Sequence, residues 1–440
     1  MVFFRSLLLT SLYACNVLSL SAYASCSKDD SSEHSKLEKR CFSSVDCSFN
    51  DDQNCNKSER RHVLSPVKEV LEDRPWHKGF SFTKLTQSLQ NATNAEISLE
   101  CGVLPQWFYP HRALGSAIDE ESPSCQVFLS PEVTWELYNT PIAGTGTFEF
   151  SYTLIRYWKN NAENANRCLG IACEINDYSS RTNILSQLSF SQTFPGKFLT
   201  VCIGQYSLYN IDGTLYDNDQ LTGFISYSLS QNASATYSSG SIGAYVQVNP
   251  IPNLAIQVGC QDAYNILGTA FELKNLQKNK YNFYGYLSWS PQNRFGSGQY
   301  SALVYATRKV PDQLSQTTGW SLNFGQDLGK KLYLFGRWNG ATGSVYSINR
   351  SYVLGLASAN PINRNSQDLL GIAAARNKVN RKVLTAKKVR KYETVIETFA
   401  TVGFGPHFSV TPDLQIYIHP AQRLDKRSVR VYGIRANISI

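Results

Sequence analysis

The residues from Tyr392 to Ile440 read as three short runs of alternating apolar and polar side chains separated by turns. In the last run Tyr432, Ile434, Ala436 and Ile438 share one face, and Arg435, Asn437 and Ser439 share the other. Successive side chains of a strand point to opposite faces, so this run is greasy on one side and wet on the other. The closing strand of a transmembrane barrel has this pattern, with lipid on one face and an aqueous lumen on the other. An edge strand of a soluble sheet alternates in the same way, so the rest of the chain has to decide between them.

Residues 1–24 predict a secretory signal. Arg5 supplies the positive charge, the stretch from Leu7 to Ala22 is mostly apolar, and Ala22-Tyr23-Ala24 forms an A-x-A site with cleavage after Ala24. Acylation of Cys26 is the weaker alternative, because Tyr23 stands where a small aliphatic residue is preferred. No later stretch approaches the roughly 18 to 20 consecutive apolar residues that a membrane helix requires. An exported chain of this kind is soluble or crosses a membrane as a closed barrel, the one other span that satisfies every backbone polar group in lipid. A mean hydropathy of -0.27 is compatible with the barrel, since half of each strand faces water.

From about Lys78 onward the chain is a succession of period-two segments. Leu188 and Phe190 oppose Ser189 and Ser191; Ile256 and Val258 oppose Gln257 and Gly259; Leu322 and Phe324 oppose Ser321 and Asn323. Turn chemistry punctuates them at Pro195-Gly196, Asn249-Pro250-Ile251-Pro252, Asp327-Leu328-Gly329 and Gly405-Pro406. The expected fold is all-β, a transmembrane antiparallel barrel of about 16 strands over residues 78–440. About 14 of them follow residue 183. Counted back from a last strand that ends in the periplasm, this total puts Pro195-Gly196 on the outer side and the longer Ser207–Leu221 connection on the inner side, the reverse of the usual loop lengths. The polar segment 25–77 carries one short helix beginning at Ser65-Pro66, with Ser65 as N-cap.

Twenty-five Tyr and 22 Phe suit strand faces and interfacial girdles. Trp289, Trp320 and Trp338 lie near strand ends, which fits a girdle better than a sugar-stacking platform. The formal charge of +8 is local: Arg376 to Lys391 contains eight Lys or Arg and no acid. With no interleaved aromatic residues the run does not fit single-stranded nucleic acid. It reads as an outer loop, either simply solvated or attractive to anionic headgroups and polyanions. Ten of the eleven cysteines lie beyond Cys15 of the signal, an even number that suggests disulfides in an oxidising compartment. Cys26, Cys41, Cys47 and Cys55 crowd the N-terminal segment, and Cys101, Cys125, Cys168 and Cys173 are further candidates. Cross-links to other outer-membrane proteins are open to them, whereas the spacing offers no zinc site.

Pleat parity points Arg337, Asp413, Gln415, Gln257 and Arg435 into the lumen. Glu393 and Glu397 share a face, placing two carboxylates along one wall. Such groups suit a sugar passage, because a planar guanidinium fork and paired acceptor oxygens can engage vicinal hydroxyls. The competing reading for each is a polar residue engaged in salt bridges. A glycosidase needs opposed acids, and these two stand in file. Six histidines show no metal-binding spacing, and no nucleophile elbow, phosphate loop or dinucleotide fingerprint occurs, so neither enzyme nor cofactor is expected.

The C-terminal pieces LYLFGRW (Leu332 to Trp338), SYVLGLASANPINRNSQDLLGIAAA (Ser351 to Ala375), YETVIETFATVGF and TPDLQIYIHP occur in an order that resembles the carbohydrate-selective outer-membrane porins of the OprB type. QLSFSQTFPGKFLTVCIGQYS (Gln187 to Ser207) is similar to the family's central barrel. The resemblance implies an outer-membrane channel for passive diffusion of small hydrophilic solutes, with sugars and outer-membrane lipid as partners. It also implies a role for Arg364 and Asp368, which resemble a family Arg…Asp pair in a turn before a strand; turn stabilisation is their plainer role. Gln205 departs from an Arg-like position, and Ile440 replaces the usual terminal aromatic residue. The cysteine-rich N-terminal segment is not a family feature, and is similar in that respect to outer membranes strengthened by disulfides, as in chlamydiae. The alternative function is a disulfide-cross-linked structural or adhesive surface barrel.

Overall fold

The structure, a computed structural model, describes residues 90, 92–109, 123–343, 345–384 and 388–440. The expected signal, the expected helix of the cysteine-rich segment, and Cys26, Cys41, Cys47 and Cys55 lie outside the described residues.

Seventeen strands are formed: β1 (Ala95–Tyr109), β2 (Ser124–Thr140), β3 (Gly144–Lys159), β4 (Thr182–Thr193), β5 (Leu199–Tyr206), β6 (Ser241–Ile251), β7 (Leu254–Asp262), β8 (Tyr281–Trp289), β9 (Gln292–Asn293), β10 (Gly296–Thr307), β11 (Thr317–Leu328), β12 (Leu332–Ala341), β13 (Ile348–Ala359), β14 (Leu369–Val379), β15 (Tyr392–Phe404), β16 (Phe408–Ile418) and β17 (Ser428–Ser439). Strand β9 is the two-residue rim of a turn, and β8 pairs directly with β10. Every other strand pairs antiparallel with its neighbours in sequence. Strand β17 closes on β1, with Cys101 opposite Ile438 and Trp107 opposite Tyr432. The result is a ring of sixteen crossing strands with no free edge, which satisfies the backbone in lipid.

Thirteen strands cross after residue 181, not fourteen. An odd number makes β4 and β17 run in the same direction, so the Pro195–Lys197 turn shares an end with the carboxyl terminus. The two- and three-residue connections 141–143, 252–253, 329–331 and 405–407 all lie at that end. The long ones, 160–181, 207–240, 263–280 and 380–391, lie at the other. The lengths therefore agree with those of an outer-membrane barrel, and the reversed placement expected from the sequence is corrected.

Apolar residues face outward along the wall. Ile203, Val258, Val304, Leu354, Leu370, Ile372 and Ile434 are all exposed, and lipid is their solvent. Aromatic pairs mark both rims of this band. At the loop end Trp338 packs edge-on to Trp320 at 5.0 Å and stacks on Tyr352 at 5.8 Å. At the turn end Trp289 meets Tyr300 at 5.5 Å and Phe404 meets Phe408 at 5.7 Å.

Two long loops fold inward. Loop 160–181 carries helix α1 (Ala162–Leu169), whose N-cap Asn161 accepts from Asn164 N at 2.9 Å and whose C-cap Gly170 takes a left-handed conformation (φ 64°). Loop 207–240 carries the single turn α2 (Tyr227–Ser230) and is buried over nearly its whole length. Phe224 at its centre lies 4.9 Å from the Phe399 ring and 5.5 Å from the Phe335 ring. Gly371 permits this approach, since a Cβ there would stand 2.3 Å from Phe399 and 3.0 Å from Phe224. On the opposite wall the interior is tyrosine-rich: Tyr237 packs edge-on against Tyr209 at 4.5 Å and Tyr305 at 4.9 Å. A large share of the tyrosines thus line the inside, beyond the strand faces and girdles that the composition suggested.

Candidate functional site

A loop buried inside a barrel must find partners for its own backbone groups. The interior faces of β12 and β15–β17 supply them. Glu397 on β15 accepts from Ile225 N at 2.6 Å and Ser226 N at 2.8 Å. One turn of the pleat away, Glu393 accepts from Ala172 N and Cys173 N at 2.9 Å and from Ala421 N at 2.8 Å, so one carboxylate gathers loops 160–181 and 419–427. Gln415 donates to Ile175 O at 3.1 Å and to Asp413 Oδ1 at 3.0 Å. Arg435 donates to Gly223 O at 3.0 Å and also to Gln220 O.

Arg337 on β12 forms the most enclosed contact. Its Nη2 lies 2.8 Å from Asp217 Oδ2 in an ion pair whose two side chains are 0% exposed. The same nitrogen donates to the Asp217 carbonyl, and Nε donates to Asn323 Oδ1 at 3.1 Å. Asp217 also accepts at 2.6 Å from Thr214 N and Thr214 Oγ1, and so fixes the turn that presents it. Nearby Asp212 collects Tyr237 OH at 2.6 Å, Asn232 Nδ2 at 2.8 Å and Asn323 Nδ2 at 3.0 Å.

Six expected residues, Arg337, Glu393, Glu397, Asp413, Gln415 and Arg435, therefore come together on one interior wall. They do not stand in open water there. All are buried, and all but Asp413 bond directly to the infolded loops. Gln257 faces inward from the tyrosine-rich wall, where it donates to Tyr284 OH at 2.6 Å. Arg364 and Asp368 are apart from the others. They pair within the 360–368 turn, where Asp368 Oδ1 also accepts from Gly403 N at 2.9 Å. With Arg364 partly exposed, Arg364→Ala is expected to cost about 1 kcal/mol or less and to leave channel conductance unchanged, measured by thermal unfolding in detergent and by bilayer recording.

Reading by sequence pattern missed Asp212, Asp217, Gln220 and Asn323. The available signal was in the loop: Leu221, Phe224, Ile225 and Leu229 are too apolar for a solvated connection.

Negative charge prevails inside. Asp177, Asp212, Asp217 and Asp219 of the loops and Glu393, Glu397 and Asp413 of the wall outnumber the three buried arginines, Arg337, Arg423 and Arg435. Burial pushes the Asp177 carboxyl well above the usual range. It pushes Asp219 up to about 6, with Leu221 N–H and Arg435 pulling the other way. Towards the turn end Glu132 accepts from Ser151 Oγ at 3.0 Å and Glu149 from Gln187 Nε2 at 2.9 Å, which extends the acidic lining. Among the described residues no group of three His, Cys, Asp or Glu side chains is placed to hold a metal ion.

Cys101, Cys125, Cys173, Cys202 and Cys260 carry free thiols, which corrects the disulfides expected of Cys101, Cys125 and Cys173. Cys101 and Cys125 lie on the outward parity of β1 and β2, whereas Cys168 and Cys173 are buried in the infolded loop.

Residues 267–440 match the family described as carbohydrate-selective porin, OprB family. Porin AaxA of Chlamydia felis is 63% identical over the full length of both chains, and porin AaxA of Chlamydia pneumoniae is 55% identical, again over both full lengths. The chain belongs to the OprB porin family. Its fold agrees with that of Pseudomonas putida OprB in the high-pH structure, with a TM-score of 0.65 and 16% identity over 82% of this chain and 97% of that one. As an OprB porin it resides in the outer membrane of a Gram-negative-type bacterium. Its long connections then face the cell exterior and its short turns the periplasm.

Proposed function

We propose that the barrel is a passive channel in which small hydrophilic solutes cross the lumen beside the loops that are bonded to β12 and β15–β17. The observation that carries this reading is a set of polar atoms without a protein partner. Arg337 Nη1, Asn339 Nδ2, Asp219 Oδ2 and Arg435 Nε are buried and make no hydrogen bond among the described residues. Buried polar groups are nearly always satisfied, and in a porin the natural partners are water and the hydroxyls of a passing solute. A mixed lining of guanidinium and carboxylate groups supports carbohydrates as solutes, since both bind vicinal hydroxyls weakly enough to release them.

The excess of interior carboxylates favours a second preference, for small cations over anions. Fixed charge in a narrow passage raises the local concentration of oppositely charged solutes. Reconstituted in planar bilayers, the full-length protein is expected to give discrete conductance steps, a reversal potential of cation-selective sign in a salt gradient, and reduced open current on adding sugars. Bilayers that remain silent would sink the channel reading and leave the cross-linked structural barrel. An anion-selective reversal potential would reject the charge argument alone.

A further inference from the structure

We propose that the outer face of β13 and β14, at the loop end, binds the phosphate-bearing headgroup of an outer-leaflet glycolipid. In the register of these strands Arg350 stands directly opposite Lys378, and Tyr352 directly opposite Arg376. Arg350 and Arg376 are exposed and Lys378 is half-buried. Like charges placed directly across a ladder destabilise it, so this pair needs a compensating anion. The chain supplies none: among the described residues no carboxylate pairs with any of the three. The outward positions of β12–β17 contain no Asp or Glu, nor do the connections 342–347 and 380–391. Asp425 of the neighbouring 419–427 loop is taken by Arg423 at 3.1 Å.

Depth then identifies the partner. Arg376 lies level with the aromatic rim of Trp338 and Tyr352, its guanidinium 4.8 Å over the Tyr392 ring, and Arg350 and Lys378 lie just beyond that rim. Below the rim, Leu354, Leu356, Leu370 and Ile372 are exposed. Above it, the loop adds the exposed Arg381, Lys382 and Lys388. An aromatic rim sits at the headgroup level of a bilayer. Guanidinium forks match phosphate oxygens with two parallel hydrogen bonds. A phosphorylated glycolipid would set its phosphate among Arg350, Arg376 and Lys378 and lay its acyl chains on the leucine-rich wall below. A soluble polyanion would satisfy the charges and leave that wall unused.

The test uses the full chain purified in detergent and mixed with bisphosphorylated lipid A, with bound lipid counted by native mass spectrometry. The triple variant Arg350→Gln, Arg376→Gln, Lys378→Gln is expected to retain the lipid about a hundredfold less well, from roughly 1 kcal/mol for each of the three basic residues near an anionic surface. Lys330→Gln with Lys331→Gln, at the opposite end of the barrel, is expected to retain it like the parent. Dephosphorylated lipid A is expected to be lost from all three proteins. Lys378→Gln alone relieves the like-charge pair, and should raise the thermal midpoint of the lipid-free protein while lowering that of the lipid-loaded one. Equal retention by the parent and the triple variant would overturn the proposal. So would equal retention of dephosphorylated lipid. Binding of heparin that depends on the same three residues, without lipid retention, would assign the patch to a soluble polyanion instead. If the triple variant fails to fold, the opposed shifts of Lys378→Gln decide the matter by themselves.

Discussion

Arg337→Ala is expected to destabilise the barrel interior by about 3–5 kcal/mol and to raise single-channel conductance. Removing one partner of a buried ion pair leaves the other charge uncompensated in a poorly solvated place, which is why the loss is large. Here the charge left behind is Asp217, a residue of the infolded loop with no exposed side-chain surface. The variant loses three contacts at once: the ion pair, the bond to the Asp217 carbonyl and the bond to Asn323. Loop 207–240 then has a strong reason to leave the wall, because outward movement brings Asp217 to water. The passage beside it widens as a result. Thermal unfolding in detergent and bilayer recording read the two effects separately. A paired replacement, Arg337→Met with Asp217→Leu, should recover most of the stability, since a well-packed apolar pair often equals a buried salt bridge. It should not recover selectivity, because the charged lining is gone. A single variant with unchanged stability and unchanged conductance would show that the loop is held elsewhere.

The same residue illustrates how far a sequence of this kind can be read. Period two determines which face of a strand a side chain occupies, and Arg337, Glu393, Glu397, Asp413, Gln415 and Arg435, read on that basis as facing the lumen, are all buried. Strand alternation, turn chemistry and the aromatic rims were enough for a closed barrel, because lipid admits so few β-architectures. What alternation cannot convey is the content of the barrel. Loop 207–240 has no period, and its partners are up to 216 positions away in sequence, as in the bond from Asn437 to Leu221 O. The interior residues therefore read as lining a passage, whereas most of them grip a loop. The orientation error had a similar source. A strand total that is one crossing too high reverses the side assigned to every earlier turn, and alternation alone does not fix the total.

The two glutamates on β15 make the strongest case for separate control of the two loops. Glu397→Ala leaves Ile225 N and Ser226 N buried with no acceptor, and Glu393→Ala does the same to Ala172 N, Cys173 N and Ala421 N. Hydrogen bonds to a charged group contribute about 1.5–3 kcal/mol each, and stranding the donors adds a desolvation cost. Each variant should therefore lose several kcal/mol, by a different route. Glu393 holds loops 160–181 and 419–427, so its removal should expose Cys168 and Cys173, which are now fully enclosed thiols. Glu397 holds loop 207–240, so its removal should widen the passage and leave those thiols protected. Maleimide labelling mapped by mass spectrometry, run beside bilayer recording, distinguishes the two. The double variant should be close to the sum of the singles if the loops move independently. Labelling of Cys173 in Glu397→Ala to the level of Glu393→Ala would mean instead that the loops leave the wall as one body, with Asp177 as the joint: it accepts from Gln220 N at 3.1 Å and is bonded by Ser230 Oγ.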